Sequence, residues 1–323
     1  MNSLAPGLDR GHTRPNTILI GGRREILEAR HRFLESGYTL YRTGTKSPKV
    51  KYGMVMKQIG RYQIVRELGR GGMGVVLEAR DPLIGRIVAV TIIRLDNLGN
   101  PSEADLHQER LFREARTARE LSHPGIVVVH DLGRDDELAY IAMERVDGPT
   151  LAQILGTTGR LSLAGTLDLL RQTATALDHA HENGVVHRDI KPGNLMLHKG
   201  ATWKITDFGI ARITSTQQLT QTGMLRGRRS YISPEHISGQ AVDCRTDQFS
   251  LAVIAFELLT GKNPFQDDPL LIHCICPSAK SINPDLPDAV DVVFKRGLSK
   301  DANSRYSSCS AFVDAMHCAC PLG

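Results

Sequence analysis

The feature of this 323-residue chain that most constrains its fold is a change of pattern near Gly148. From Arg61 onward, short β-branched runs are separated by Gly-rich or Asp-Pro turns, a pattern typical of antiparallel strands. Beyond Gly148 the apolar residues recur mainly at helical spacing. The predicted strands are Tyr62–Leu68, Val75–Arg80, Arg86–Ile93, Ile126–Leu132 and Leu138–Val146, with one predicted helix, Pro101–Leu121, among them.

The second half of the chain predicts helices with clear stop signals, since Asn183-Gly184 follows one helix and Gly261 follows another. These helices are Leu151–Leu155, Leu163–Glu182, Gln248–Thr260, Ala289–Gly297 and Ser308–Met316. A small β-rich region followed by a larger helical region indicates an α+β fold. We place the two regions at residues 58–146 and 147–317, with a tail at 318–323.

Residues 1–57 are predicted to be a poorly ordered basic leader. Residues 1–60 contain eleven lysines and arginines but four acids, whereas the remaining residues contain 29 basic and 31 acidic groups. The formal charge of +5 therefore belongs to the leader and says little about a partner. Glu25–Leu34 favours a short helix and residues 43–53 have a linker composition. A translation start at Met54 or Met56 is the alternative explanation for the leader.

The composition excludes several classes of protein. With 41% hydrophobic and 23% charged residues, the chain is neither fibrous nor wholly disordered. No apolar run approaches the roughly 18 residues that a membrane-spanning helix needs. The amino terminus also lacks the apolar stretch of a secretory signal. We therefore expect a soluble cytoplasmic protein without a membrane segment.

A glycine-rich turn, Gly69-Arg70-Gly71-Gly72-Met73-Gly74, lies between the first two predicted strands. Glycines at this spacing let backbone amides approach phosphate oxygens without obstruction by side chains. The same pattern fits a dinucleotide-binding turn, but that interpretation requires a helix directly afterwards. The following segment, Val75–Arg80, is predicted to be a strand, so a phosphate-covering hairpin is favoured.

The segment His187-Arg188-Asp189-Ile190-Lys191-Pro192-Gly193-Asn194 is far more specific. Asp207-Phe208-Gly209 follows thirteen residues after Asn194, and Ser233-Pro234-Glu235 comes later. With these ordered motifs the chain resembles the protein kinase family, and most closely the eukaryotic-like serine/threonine kinases of bacteria. The resemblance covers about Ile59 to Met316 and implies a bilobal fold, with a β-rich N-lobe and a mainly helical C-lobe.

The resemblance implies roles for individual residues. Asp189 would accept or orient the proton of the substrate hydroxyl, and Lys191 would neutralise charge on the transferring phosphoryl group. Asn194 and Asp207 would hold Mg²⁺ through hard oxygen ligands. Away from the reaction, Asp247 would anchor the catalytic loop as a buried aspartate. Glu235 and Arg305 would form a structural ion pair.

The implied cofactors are ATP and Mg²⁺. Met143 would be the gatekeeper, the backbone of Glu144-Arg145-Val146 would pair with adenine, and Glu114 would grip the catalytic lysine of the third strand. The full set of implied ATP-binding positions is Leu68, Gly69, Arg70, Gly71, Gly72, Met73, Gly74, Val76, Ala89, Thr91, Glu114, Met143, Glu144, Val146 and Asp207.

The sequence departs from the family pattern at two positions. The third strand reads Val88-Ala89-Val90-Thr91, so threonine replaces the lysine that would position the phosphates. No lysine lies between Arg61 and Arg94 to replace it. Arg70 could reach in from the glycine-rich loop, although its fork is a poor mimic of a compact ammonium. Arg228 replaces a threonine that relatives carry, and either obstructs Asp189 by pairing with it or is a solvated surface arginine.

Thr220 and Thr222 lie where bacterial relatives carry activation-loop phosphothreonines. Arg188, beside the catalytic aspartate, would pair with such a phosphate and order the loop. The alternative is that hydroxyl residues are common in exposed loops, so these two threonines remain candidate phosphosites.

Two His-Cys-x-Cys groups raise the possibility of zinc. They are His273–Cys276 and His317–Cys320, and thiolate and imidazole are zinc ligands. Their spacing is not the usual Cys-x-x-Cys, and reduced cysteines of a cytosolic protein are the favoured alternative.

The sequence therefore predicts a serine/threonine protein kinase that transfers the ATP γ-phosphoryl group to protein substrates, with activity impaired by Thr91 and Arg228. The competing interpretation is a pseudokinase that acts as a scaffold or regulator. Nucleic-acid binding through the leader is not expected, because the leader lacks interleaved aromatic residues and a folded scaffold.

Overall fold

The computed structural model describes residues 18–20, 38–43, 51–71, 74–94, 112–113, 117–135, 138–208, 230–265 and 276–321. The chain divides into two compact units. The first comprises Met1–Arg94 with Gly133–Arg145, and the second comprises Leu95–Leu132 with Val146–Gly323. The predicted Glu25–Leu34 helix and most of the predicted Pro101–Leu121 helix lie outside the described residues.

The first unit begins with a three-stranded antiparallel sheet that the sequence analysis did not predict. Its strands are β1 (Ile18–Ile20), β2 (Tyr38–Thr43) and β3 (Lys51–Met56), in the order β1-β3-β2. Ile18 pairs with Met54, and Tyr38 pairs with Met56. These strands are short, so their sequences contain little alternation from which a strand could be predicted. Their stability depends on pairing with residues that are distant in sequence.

The main sheet of the first unit has the strand order β4-β5-β6-β7-β9-β8. Its strands are β4 (Gln58–Ile59), β5 (Tyr62–Gly71), β6 (Gly74–Arg80), β7 (Ile87–Arg94), β8 (Val129–Asp135) and β9 (Leu138–Glu144). The predicted strands are confirmed, with β8 starting three residues later than expected. Gly74 is required at the hairpin because its φ is +146° and a Cβ there would lie 1.8 Å from the carbonyl oxygen of Ile92.

One face of this sheet forms the core of the first unit. Because side chains alternate between the two faces of a strand, one set of residues from β6, β7 and β9 packs together. Ile59 and Tyr62 complete this cluster, and the ring of Tyr62 meets that of Tyr140 edge-on at 5.8 Å. The opposite face is left for the candidate site. The core residues are Ile59, Tyr62, Leu77, Ala79, Val88, Val90, Ile92, Tyr140 and Ala142.

The second unit is mainly helical. It contains the hairpin β10 (Leu195–His198) and β11 (Thr202–Ile205). Its helices are α1 (Leu151–Thr158), α2 (Leu163–Glu182), α3 (Pro234–Ile237), α4 (Cys244–Thr260), α5 (Ala279–Ile282), α6 (Ala289–Gly297) and α7 (Cys309–Ala319). Among the described helices, none is both long enough and apolar enough to cross a membrane.

Helix α4 is the central element of the second unit. It is capped at its start by the side chain of Asp243 and stopped by Gly261 in the left-handed conformation, with φ of 74°. Nearly every residue of α4 from Thr246 onward is buried, including Asp247. A helix buried on all sides is surrounded by other elements, and α2, α6 and α7 pack against it.

The predicted ion pair between Glu235 and Arg305 is present and buried. Arg305 Nη2 lies 2.7 Å from Glu235 Oε2, and Nη1 lies 2.9 Å from Oε1. The guanidinium also donates to the carbonyl oxygens of Ser299 and Arg245. This satisfied, two-pronged pair fastens α3 to the segment before α7.

We predict that Arg305→Ala destabilises the protein by about 3–5 kcal/mol, because it leaves the carboxylate of Glu235 buried without its cation. Arg245→Ala is the matched control, since the pair that Arg245 forms with the exposed Asp243 should contribute about 1 kcal/mol or less. Urea denaturation followed by circular dichroism measures both losses. Equal losses in the two variants would contradict the prediction.

The same pair predicts a pH dependence. Burial alone would raise the pKa of Glu235, but the guanidinium of Arg305 outweighs burial and lowers it from 4.5 to about 2. The folded-state pKa is depressed, so this stabilisation is complete above pH 4.5 and is lost as pH falls towards 2. Denaturation midpoints of wild type and Arg305→Ala, measured between these values, should converge on acidification. Parallel midpoint curves would refute the linkage.

Candidate active site

Several predicted ATP-binding residues lie together on the sheet face opposite the core. Gly69 of β5 faces Val76 of β6, and Val76 in turn faces Thr91 of β7. Ala89 faces Met143 of β9. Because residues two apart share a face, Val76, Ala89, Thr91 and Met143 all lie on the side away from the core cluster. The apolar members of this face suit the flat surface of a nucleobase.

Thr91 is a buried polar residue on this apolar face. It is 4% exposed, and its Oγ1 has no hydrogen-bond partner among the described residues. A buried hydroxyl without a partner costs about 1–3 kcal/mol, so this atom is suited to a group that the protein itself does not supply. Thr91 can provide one neutral hydrogen bond to a ligand but no charge.

Arg70, the cation considered as a substitute for the missing lysine, is held by Glu67. Its Nε and Nη2 lie 2.7 and 2.8 Å from the two carboxylate oxygens of Glu67. This hydrogen bonding raises the pKa of Arg70. Two parallel hydrogen bonds hold the guanidinium against Glu67, a residue of the same strand. This position argues against Arg70 replacing the missing lysine charge beside Thr91.

In the second unit, the catalytic loop is organised by the carboxylate of Asp247. Its oxygens accept hydrogen bonds from the backbone N–H of His187 at 2.8 Å and of Arg188 at 2.7 Å. Asp247 is 0% exposed. Burial acts to raise its pKa, but the hydrogen bonds and nearby positive charge lower it, so the carboxylate is ionised. The predicted anchor is therefore present.

A third donor to Asp247 was missed by the sequence analysis, which assigned His181 no role beyond its helix. His181 Nε2 lies 2.8 Å from Asp247 Oδ2. The sequence feature that could have predicted this contact is the position of His181, which lies six residues before His187 and close to the end of α2. A helix end that leads directly into the loop brings this side chain to the same carboxylate.

Two residues of the site have left-handed backbone conformations. Arg188 has φ of 68° and Asp207 has φ of 64°, which is uncommon for residues other than glycine. Such strain persists where the surroundings hold it in place. Asp247 holds the amide of Arg188, and His187 Nε2 binds the carbonyl oxygen of Thr206 at 2.8 Å. The ring of His187 also meets Phe208 edge-on at 4.6 Å.

Asp189 lies at the centre of the polar groups in this unit. Lys191 Nζ forms an ion pair with Asp189 Oδ2. Asn194 Nδ2 lies 2.8 Å from the carbonyl oxygen of Asp189 and 3.3 Å from Oδ2. Among the described residues, both side-chain contacts fall on Oδ2. The other oxygen, Oδ1, is therefore the one suited to accept a proton.

The donor set near Asp189 matches the chemistry of Mg²⁺. Asn194 is buried, and both of its side-chain hydrogen bonds within the described residues use Nδ2. Its amide oxygen is thereby oriented as a ligand. Asp207 follows Thr206, whose backbone N–H donates to the carbonyl oxygen of Asn194 at 2.9 Å. Amide and carboxylate oxygens such as those of Asn194 and Asp207 are the ligands that Mg²⁺ prefers.

Of the remaining predicted positions, some are described by the structure and the others lie outside the described residues. Leu68 is exposed, and Glu144 pairs with Val88 at the end of β9. Gly71 pairs with Gly74, and Val146 is the first residue of the second segment of the second unit. Gly72, Met73, Glu114, Thr220, Thr222 and Arg228 lie outside the described residues.

Comparison with known proteins gives one family. A family profile described as "Protein kinase domain" matches residues 62–318. The chain is 41% identical over 265 residues to serine/threonine-protein kinase PknA of Mycobacterium tuberculosis, covering 80% of this chain and 61% of PknA. It is 38% identical over 255 residues to serine/threonine-protein kinase PrkC of Bacillus subtilis, covering 77% of this chain and 39% of PrkC. The chain thus spans about three-fifths or less of these curated relatives.

We predict that Asp247→Asn loosens the catalytic loop, because an amide nitrogen cannot accept the hydrogen bonds that one carboxylate oxygen now accepts. Loss of such a charged hydrogen bond costs about 1.5–3 kcal/mol. Amide hydrogen exchange in a peptide covering residues 185–190 should speed up by about ten- to a hundredfold.

Asp243→Asn is the matched control, since it makes the same change at the exposed cap of the same helix. Exchange in β6 and β7 should be unaffected in both variants and reports whether the fold is intact. Unchanged exchange of the 185–190 peptide in a folded Asp247→Asn variant would show that Asp247 does not anchor the loop.

Proposed function

The chain belongs to the protein kinase family, and from this we propose that it transfers the γ-phosphoryl group of ATP to serine or threonine hydroxyls of proteins. The observation that carries the proposal is the arrangement of Lys191 and Asn194 around Asp189. The names of the relatives, which describe serine/threonine kinases, support the same substrate class.

In this proposal, Asp189 is the residue that acts on the substrate hydroxyl. Its Oδ1 accepts the hydroxyl proton, while Oδ2 is held by Lys191 and Asn194. Lys191 also places a positive charge beside the position where negative charge develops during transfer. Such fixed charges stabilise a transition state without reorganising at the moment of reaction.

The face of Val76, Ala89 and Met143 would hold the base of ATP, and Asn194 with Asp207 would hold Mg²⁺. When bound, Mg-ATP supplies the phosphoryl group and a divalent charge that offsets its negative oxygens. In the first unit, the Thr91 hydroxyl, which has no hydrogen-bond partner among the described residues, supports binding of a polar group. In the second unit, the amide and carboxylate oxygens of Asn194 and Asp207 are ligand types that suit Mg²⁺.

The missing lysine is the main argument for reduced activity. Removing one preorganised donor to developing charge typically lowers a rate by ~10²–10³, or roughly 3–4 kcal/mol. Thr91 supplies a hydroxyl in its place, and Arg70 is held by Glu67. The second candidate function, a pseudokinase that binds nucleotide and regulates a partner, rests on this same observation.

We predict that Thr91→Lys raises autophosphorylation by about 10²-fold, because it restores a positive charge at the phosphate-facing position of β7. Thr91→Val is the matched control, since it keeps the shape of threonine but removes the hydroxyl without adding charge. Transfer of radiolabelled phosphate from ATP, measured beside Mg²⁺-dependent ATP binding, checks the prediction. Asp189→Asn should abolish transfer in every background.

The outcomes separate the two functions. Transfer by the wild type that requires Asp189 supports the kinase, whereas Mg²⁺-dependent ATP binding without transfer supports the pseudokinase. Arg228→Thr added to Thr91→Lys tests obstruction of Asp189, and no further gain in rate would dismiss that obstruction. An absence of ATP binding in all of the variants would refute the proposed function.

A further inference from the structure

A cluster of three potential metal-ligating side chains lies next to Asp247, the residue that holds the catalytic loop, and is separate from the residues assigned to phosphotransfer. One ligand atom each from Asp178, His181 and Cys309 lies within 4.8 Å of the others. Asp178 and His181 are one turn apart on α2, and Cys309 is the first residue of α7. All three belong to the second unit.

The orientation of His181 leaves one ring nitrogen facing into this cluster. Because the carboxylate of Asp247 is ionised and can only accept, His181 Nε2 is the donor in their 2.8 Å contact. His181 Nδ1 is buried, lies 3.8 Å from Asp178 Oδ1 and has no hydrogen-bond partner among the described residues. The side chain of His181 is only 9% exposed. In a neutral imidazole, Nδ1 would direct its lone pair at the carboxylate of Asp178. Because both groups are then acceptors, this arrangement requires a cation between them.

Asp178 and Cys309 are held in place by hydrogen bonds at the start of α7. The backbone N–H groups of Cys309 and Ser310 each donate to Asp178 at 2.9 Å. These bonds fix α7 against α2 and leave the Cys309 side chain fully buried beside the carboxylate. The side chain of Asp178 keeps 18% exposure, so the cluster remains open to solvent on one side.

We propose that Asp178, His181 and Cys309 bind one zinc ion, with water as the fourth ligand. Carboxylate oxygen, imidazole nitrogen and thiolate sulfur are the three ligand types that zinc takes in proteins. Tetrahedral zinc with bonds of about 2.0–2.3 Å sets its ligands about 3.3–3.6 Å apart. The observed 3.8 Å between His181 Nδ1 and Asp178 Oδ1 is within a small adjustment of that spacing.

The contact between His181 and Asp247 is the arrangement expected around a zinc ligand. Metal-bound histidines usually donate their other ring N–H to a carboxylate, which fixes the ring and its tautomer. Here that carboxylate is the same one that holds the amides of His187 and Arg188. The zinc would therefore act as a structural support for the catalytic loop.

The competing occupant of the site is a proton. Asp247 Oδ2 lies 2.8 Å from one ring nitrogen of His181, and Asp178 Oδ1 lies 3.8 Å from the other, so two carboxylates flank the ring. This geometry favours a positive charge at the cluster, which either a proton or a metal can supply. Zinc would displace the proton on Nδ1 and that of the Cys309 thiol, and both protons would pass to solvent.

This site differs from the zinc groups considered from the sequence. Within the part of the chain that the structure describes, Cys318 is exposed and Cys320 is buried at the end of α7, and neither joins a metal-ligating cluster. His273 and Cys274 of the other group lie outside the described residues. The inference concerns metal content and does not depend on the proposed phosphotransfer.

The test measures zinc in the purified full chain after dialysis against metal-free buffer, by inductively coupled plasma mass spectrometry. We expect about one zinc per chain in the wild type. Cys309→Ser should reduce this to background, whereas Cys320→Ser, a change of another buried cysteine directly after the same helix, should retain it. Asp178→Asn should bind zinc at least tenfold more weakly while it still accepts at least one of the helix N–H bonds.

Cobalt substitution identifies the ligands directly. The Co²⁺-loaded wild type and Cys320→Ser should show thiolate-to-cobalt charge-transfer absorption in the near ultraviolet, and Cys309→Ser should lack it. Circular dichroism verifies folding, and if Cys309→Ser does not fold, Asp178→Asn and the cobalt spectrum decide. Wild type that binds no stoichiometric zinc even after zinc is added would overturn the site and leave the proton as occupant. Full zinc retention by folded Cys309→Ser would likewise overturn it.

Discussion

The catalytic loop depends on one buried negative charge, that of Asp247. A carboxylate with no exposure is costly unless donors surround it, and here His181, His187 and Arg188 all donate to it. Two of these donors are backbone amides of the loop itself. The same hydrogen bonds therefore stabilise the buried charge of Asp247 and fix the conformation of the catalytic loop. A change in the loop conformation would remove donors from Asp247, and loss of the Asp247 charge would release the loop amides.

The position of Asp247 in the fold explains how this charge is tolerated. It lies in the first turn of α4, where the positive end of the helix dipole favours an anion. Helix α4 is buried along its length and packs against α2, whose end carries His181 and leads into the loop. The strained φ of Arg188 is thus maintained by a carboxylate on a helix that is buried along most of its length.

The sequence predicted the elements best where a local pattern was sufficient. The helix Leu163–Glu182 was predicted to the residue, because an N-cap serine, helical periodicity and Asn183-Gly184 all agree. Asp247 and the Glu235–Arg305 pair were predicted from the family pattern. The partners of His181 and the strands β1 to β3 were not predicted, because they depend on residues that are distant in sequence. The cluster of Asp178, His181 and Cys309 was not predicted either, because it joins two helices that are distant in sequence.

The two units differ in how completely they match a phosphotransfer enzyme. In the second unit Lys191 and Asn194 both contact Asp189, and the buried carboxylate of Asp247 accepts hydrogen bonds from the loop amides of His187 and Arg188. In the first unit the sheet face is formed as expected, yet the charge expected at Thr91 is replaced by a hydroxyl that has no hydrogen-bond partner among the described residues. Because the folding of β7 depends on its apolar neighbours, the lysine could be lost without disturbing the sheet. Stability and catalysis therefore place separate demands on this position, and a well-formed fold by itself carries no information about the rate of phosphotransfer.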